Sequence, residues 1–302
     1  MSRAATPGER MTAPVGVDNA RSGVLMAVAA QLSVQMGMVV AVGLIDQIGS
    51  DGTAWLRLSL AGILLLVAVR PRPSAFTWRT FGMCVVLGGI TAAITLFFMA
   101  SLDRLDLGTA TALEFLGPLA IAVIHGRGRH RLLWPGVAAL GVVLLSEPFS
   151  GGIDPKGAVL AVCAGICWAL YILLTQRVGD EVAGVSGLAV SMPIAGVVAS
   201  FFVDTAAFPK LTPQILLIGL GMAVLLPVVP YVLELLALRR LSTATFGILM
   251  SLEPALALLV GFLVLEQDSG LLGVAGIAAV VLAGIGAARA GGREMAVPLE
   301  VG

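Results

Sequence analysis

Charged side chains are scarce in this chain. Asp, Glu, Lys and Arg make up 12% of its 302 residues, against about a quarter in a soluble globular domain. That leaves too little polar surface to coat a water-soluble globule. The 18 basic and 18 acidic residues cancel, so no basic footprint for nucleic acid is present. Cysteine is limited to Cys84, Cys163 and Cys167, all in apolar runs. An odd number placed this way does not make a disulfide framework. Cys163 and Cys167 stand one helical turn apart, but no His or third thiol lies nearby in sequence to complete a zinc site. They read as small core residues, and neither a metal nor another cofactor is expected. The two histidines, His125 and His130, fall among arginines at the end of an apolar run and belong to no HExxH grouping. Clustered Asp, His or Ser at a membrane interface, or a phosphate-cradling loop, would mark a membrane enzyme, and neither pattern occurs. A cleavable leader is not expected either, because the polar residues 1–20 precede an apolar run that already has the length of a span.

What remains is apolar: 58% hydrophobic residues and a mean hydropathy of +1.02. Lipid is the solvent such a chain requires. In lipid every backbone N–H and C=O has to be paired within the protein, which leaves helices or closed barrels. The runs of Leu, Ala, Val and Gly lack the alternation of barrel strands, so the expected fold is an all-α integral membrane protein. Ten stretches approach the roughly 20 residues that cross a bilayer. They are 23–44, 53–70, 80–99, 107–125, 132–146, 157–176, 184–203, 213–236, 243–264 and 270–288, the fifth being the shortest.

Orientation follows from the arginines and lysines of the connections. Arg3, Arg10 and Arg21 share one side with Arg70, Arg72, Arg79, Arg127, Arg129 and Arg131. Arg177, Arg239, Arg240, Arg289 and Arg293 bring that side to fourteen. Only Arg104, Lys156 and Lys210 fall opposite. Both termini are therefore expected in the cytoplasm. The chain also repeats itself. A shift of 136 lays Leu102-Asp-Arg104-Leu105 on Leu238-Arg-Arg240-Leu241, Thr109 on Thr245 and Pro118 on Pro254. A shift of 134 lays Gly23, Ala27, Val28 and Ala30 on Gly157, Ala161, Val162 and Ala164. A duplicated five-helix unit is implied, and because five is odd the second copy enters the membrane inverted. The expected organisation is a disordered tail over 1–20, repeats over 21–150 and 151–289, and a second tail over 290–302. Inverted repeats with a midplane site are a transporter architecture.

A charge at the bilayer centre costs about 2.5–3.5 kcal/mol on insertion scales, and four residues bear that cost: Arg57, Glu114, Glu234 and Glu253. Glu253 stands mid-way along the ninth stretch and Glu114 close to the middle of the fourth. Withdrawing a carboxylate from water favours its neutral form. Proton exchange, pairing with a substrate cation, or both in alternation are the functional roles open to the pair; a structural hydrogen-bond hub is the other reading. Pro118 removes the helix bond to the Glu114 carbonyl, and Pro254 removes the one to Met250. Under the 136 shift Met250 is the counterpart of Glu114, so both copies open their backbone at matching places. Pro230 is a third helix break. Arg57 lies about a turn inside the outer end of the second stretch, where it either snorkels or meets a carboxylate. Glu234, near the inner end of the eighth stretch, reads first as an interface residue or ion-pair partner. Gln31 and Gln35, spaced i, i+4, share a helix face and either line a cavity or bridge helices. Trp168 and Tyr171 read first as packing residues, with a substrate wall as the alternative. Gly157, Ala161 and Gly165 permit close helix contact, within one chain or between two, and a homodimer is left open.

Three segments carry a family resemblance. Ala112-Leu-Glu114-Phe-Leu-Gly117-Pro118-Leu-Ala120 is the first, and Ala164-Gly-Ile-Cys167-Trp168-Ala-Leu-Tyr171-Ile the second. The third runs from Pro230-Tyr231 through Glu234, Arg239-Arg240 and Thr245–Met250 to Ser251-Leu-Glu253-Pro254-Ala-Leu-Ala257. On these the sequence resembles the EamA-type branch of the drug/metabolite transporter superfamily, and within it the bacterial threonine/homoserine exporters. The resemblance implies ten transmembrane helices in two inverted five-helix repeats around a central cavity, in the bacterial plasma membrane. It implies export of small neutral amino acids against proton entry, with Glu114, Glu234, Glu253 and Arg57 raised as substrate or proton residues. Partners would be a small amino acid, protons and membrane lipid. Efflux of drugs or other small metabolites by the same fold is the alternative, import of a metabolite or a passive channel are others, and a membrane enzyme is the remote one.

Overall fold

The computed structural model describes residues 17–125, 133–145, 153–181, 186–238, 240–241, 246 and 249–290. The expected tails lie almost wholly outside these residues, as do Arg127, Arg129, His130, Arg131, Arg239 and Thr245. Among the described residues all regular structure is helical. Helix α1 runs over Val17–Val69. A straight helix of that length would extend about 80 Å, far more than the ~30 Å hydrocarbon core. It turns instead at Gly49, whose φ of 82° and ψ of 164° only glycine adopts readily. The first two apolar stretches are thus two limbs joined by one residue, rather than helices joined by a loop.

The chain continues through α2 (Trp78–Leu102), α3 (Leu107–Glu114), α4 (Leu116–His125), α5 (Leu133–Leu145) and α6 (Pro155–Glu181). It ends with α7 (Ser186–Ala199), α8 (Pro213–Ala223), α9 (Val229–Leu238), α10 (Glu253–Val264) and α11 (Gly270–Ala290). Arg21–Val69, Trp78–Leu102, Pro155–Leu174 and Pro213–Glu234 are long and apolar enough to cross a membrane, and the remaining helices are apolar but shorter. Leu25, Ile63, Leu217 and Leu271 are more than half exposed, as expected of side chains whose solvent is lipid. Caps stand where the sequence supplies them. Thr77 and Thr80 form a reciprocal capping box at α2, and Thr212 accepts from the Ile215 N–H at 3.2 Å ahead of Pro213.

Two interruptions matter for function. Pro118 has no N–H for the Glu114 carbonyl, and the helix divides there into α3 and α4 around Phe115. Pro254 does the same near Met250: the chain turns at Ser251 and Leu252 and a new helix opens on Glu253. Glu253 therefore begins a half-helix rather than lying inside a continuous one. Between α8 and α9 a π-turn over Val224–Val228 holds Pro227, with Pro230 just beyond. The wider ring lets the helix pass two prolines without stopping.

Lipid tails give apolar helices no hydrophobic reason to associate, so close approach through small residues holds the bundle. Helix α1 packs on α7, α8 and α9; α2 on α6 and α7; α3 on α6 and α10; α5 on α11. At Gly165 of α6 an added methyl carbon would sit 2.5 Å from the Glu114 carbonyl oxygen. The carbonyl that Pro118 releases is thus packed against the neighbouring backbone rather than offered to a ligand. One end of the bundle is tied across its connections. The Asp51 carboxylate accepts from the Asp204 N–H, and Trp55 meets Phe208 edge-on at 5.3 Å. Gln267 Oε1 accepts from the Leu107 N–H at 3.0 Å. Arg104 pairs with Asp154 at 3.1 Å.

Gly165→Leu is expected to destabilise the protein by at least about 2 kcal/mol through overpacking, read as lost monodisperse protein after detergent extraction. Asp154 accepts from the Gly157 N–H at 2.8 Å. That bond first, and Arg104 after it, hold its carboxyl below the ordinary range. A depressed carboxylate contributes stability above its unfolded value and loses it as pH falls through the lower folded one. Thermal unfolding of wild type should therefore lose this increment below about pH 4. Asp154→Asn should be less stable at neutral pH and lack that part of the acid dependence.

Candidate functional site

A cavity of about 350 Å³ occupies the middle of the bundle. It collects side chains from both limbs of α1, from α2, α3, α6, α7 and α9, from the π-turn, and from the two sides of the break at Glu253. The charged residues on its wall are Arg57, Glu114, Glu234 and Glu253. These are the four intramembrane charges singled out by insertion cost. Leu65, Tyr171, Leu188 and Glu234 lie in the halves of their helices far from Gly49. The cavity thus extends away from the tied end.

Arg57 stands about two turns past Gly49 on the second limb of α1 and reaches the wall rather than snorkelling. Its guanidinium is within electrostatic reach of Glu114, which in turn is within reach of Glu253, and Glu253 of Glu234. The charges form a row along the cavity, positive at one end and acidic over the rest. None of the four makes an ion pair or hydrogen bond among the described residues. Among the described residues the buried polar atoms left without partners are Gln31 Oε1, Gln35 Oε1 and Trp134 Nε1, so the charged ends, which are not among them, keep contact with the cavity space. Glu114 is the most enclosed, at 8% exposure, while Glu253 and Glu234 are partly exposed. Glu253 stands in the first turn of α10, where unpaired N–H groups favour a negative charge. Glu114 stands at the C-terminal end of α3, where carbonyls favour a cation.

Trp168 and Tyr171 both line the cavity. Trp168 also packs edge-on against Phe115 at 6.5 Å, so it serves wall and packing together. Gln31 is on the wall; Gln35, one turn further along, is 1% exposed and outside the lining. Pro230 lines the cavity, whereas Pro118 and Pro254 shape it from behind. The side chain of His125 lies outside the described residues. Thr91, Thr95, Pro227 and Met250 also reach the wall and were not nominated from the sequence as site residues. Thr91 and Thr95 repeat the i, i+4 polar spacing of Gln31 and Gln35, so the same rule would have found them. Pro227 was legible as a second proline within one turn of Pro230.

The family model described as the EamA-like transporter family matches residues 155–288. The threonine/homoserine exporter RhtA of Salmonella typhimurium (strain SL1344) is 34% identical over 287 residues, covering 93% of this chain and 94% of the relative. The threonine/homoserine exporter RhtA of Escherichia coli (strain K12) is 33% identical over 270 residues, covering 87% of this chain and 90% of the relative. A crystal structure of a protein only 15% identical superposes with a TM-score of 0.59 over 87% of this chain and 95% of its own. That likeness speaks for the fold alone. With relatives at this identity over nearly the full length, the chain belongs to the EamA-like transporter family, a family of transporters and not of enzymes.

Proposed function

We propose that this chain is a secondary transporter that exports small neutral amino acids such as threonine and homoserine from the cytoplasm, in exchange for protons. The observation that carries the reading is the row of charges on the cavity wall. A zwitterion needs one positive and one negative partner a few ångströms apart, neither already spent on the protein. Arg57 supplies the partner for the substrate carboxylate, and Glu114 or Glu253 the partner for its ammonium. A proton and an ammonium group compete for the same carboxylate oxygens, so loading one expels the other. That competition is the simplest physical basis for exchange. The names of the relatives support the substrate class.

The proposed architecture is ten transmembrane helices in two inverted repeats, in the bacterial inner membrane with both termini cytoplasmic. Matching contacts support it. Gly23 faces Arg240 and Leu241, and Gly157 faces Arg104 and Leu105, the pairs related by the 134 and 136 shifts. Gly165 meets Glu114, while Gln31, its counterpart, meets Met250, the counterpart of Glu114. Helices α1 on α8 and α9 mirror α6 on α2. In this orientation the cavity extends toward the cytoplasm and the Asp51–Asp204 and Trp55–Phe208 contacts close the outer end.

Glu253→Gln is expected to reach the membrane at wild-type levels and to lose proton-driven threonine efflux by at least about tenfold. The assay is metabolite-resolved efflux from cells at matched expression, repeated with the proton gradient collapsed. Unchanged efflux in the variant would remove Glu253 from the mechanism. Wild-type efflux that ignores the gradient would favour a passive pathway, and resistance to lipophilic cations without amino-acid efflux would favour drug export.

A further inference from the structure

Of the uncharged polar groups on the cavity wall, the Gln31 amide stands out. Gln31 is 4% exposed and lines the cavity. Its Nε2 lies 3.5 Å from the Leu249 carbonyl oxygen and 3.3 Å from the Met250 sulfur. Both neighbours are acceptors, so the amide is oriented with its nitrogen toward them and its oxygen turned away. That oxygen has no donor among the described residues. An unpaired buried carbonyl oxygen costs roughly a factor of 10 in an equilibrium, and a partner that donates to it recovers that factor. The neighbour on the nitrogen side is soft. Met250 also lines the cavity, and an unbranched thioether side chain repacks easily.

The other hydroxyl-binding candidates are weaker. Thr91 already donates to the Leu87 carbonyl at 2.8 Å. A threonine hydroxyl such as that of Thr95 both donates and accepts, so it does not select for a donor. The carboxylates and Arg57 are engaged by the charged ends common to all amino acids.

We propose that Gln31 is a specificity-determining residue whose Oε1 accepts a hydrogen bond from the side-chain hydroxyl of the exported amino acid, with Met250 repacking as the amide turns its oxygen to the cavity. The proposal rests on amino-acid export as read above and deepens it: the charges bind any amino acid, and Gln31 distinguishes a hydroxylated side chain from an apolar isostere. A site built to bond a substrate hydroxyl rejects the analogue lacking it far more strongly than an apolar pocket rejects a mismatch in size.

The test compares threonine with valine, and homoserine with norvaline, as paired substrates of efflux from cells expressing wild type, Gln31→Met or Thr95→Val at matched levels. Wild type is expected to prefer the hydroxylated member of each pair by about tenfold or more. Gln31→Met should bring both ratios near unity by lowering the threonine and homoserine rates more than those of valine and norvaline. Methionine has the size of glutamine and removes an unpaired buried acceptor, so folding should be retained. Thermal stabilisation of the purified proteins is the second readout: threonine should raise the melting temperature of wild type more than valine does, and Gln31→Met should abolish the difference. The proposal is overturned if wild type shows no preference, if Gln31→Met lowers all four rates together, or if Thr95→Val alone equalises the ratios. Failure of wild type to export any of the four would instead overturn the export reading itself.

Discussion

A charged side chain has no stable place in hydrocarbon unless water or a counter-charge reaches it, and this bundle is arranged around that constraint. Arg57, Glu114, Glu234 and Glu253 come from helices distant in sequence, yet all end on one chamber. Had they paired off tightly, the bundle would hold a closed ionic core with nothing left to bind. They are spaced so that each is within reach of the next and none is consumed. The chamber gives the charges a face away from lipid, and the unpaired charges line it.

The prolines make that chamber compatible with a helical bundle. Membrane helices tolerate broken backbone only where it is buried in protein or lines a cavity, and both conditions are met. At Phe115 the released Glu114 carbonyl packs on Gly165, and near Glu253 the break sits on the wall itself. The π-turn over Val224–Val228 bends the remaining wall. The positions that the 136 and 134 shifts of the sequence overlay carry different chemistry, with Glu114 laid on Met250 and Gln31 on Gly165. In the proposed architecture of matching halves, that difference gives the cavity an acidic side and a neutral, hydrogen-bonding one.

Much of this was legible in advance. Glu114 and Glu253 announced themselves through insertion cost, and Pro118 and Pro254 through the missing N–H. Depth in the membrane follows from counting residues along a helix, which is why Arg57 was placed a turn from an end. Azimuth does not follow in the same way. A helix apolar all round carries no stripe to say which face turns inward, so Trp168, Tyr171 and Glu234 leaned toward packing or interface roles and proved to line the cavity. Gln31 and Gln35 share a face, yet one lines the cavity and the other is sealed behind it.

The sequence by itself determined the solvent, the helical class and the short list of charged and helix-breaking residues, because transfer cost and backbone pairing act on each segment alone. The tertiary structure decided which of those residues meet. It turned α1 back on itself at Gly49, closed one end through Asp51 and Trp55, and left the Gln31 oxygen without a donor. Those outcomes depend on how closely glycine faces let neighbouring helices approach, and no single helix carries that information.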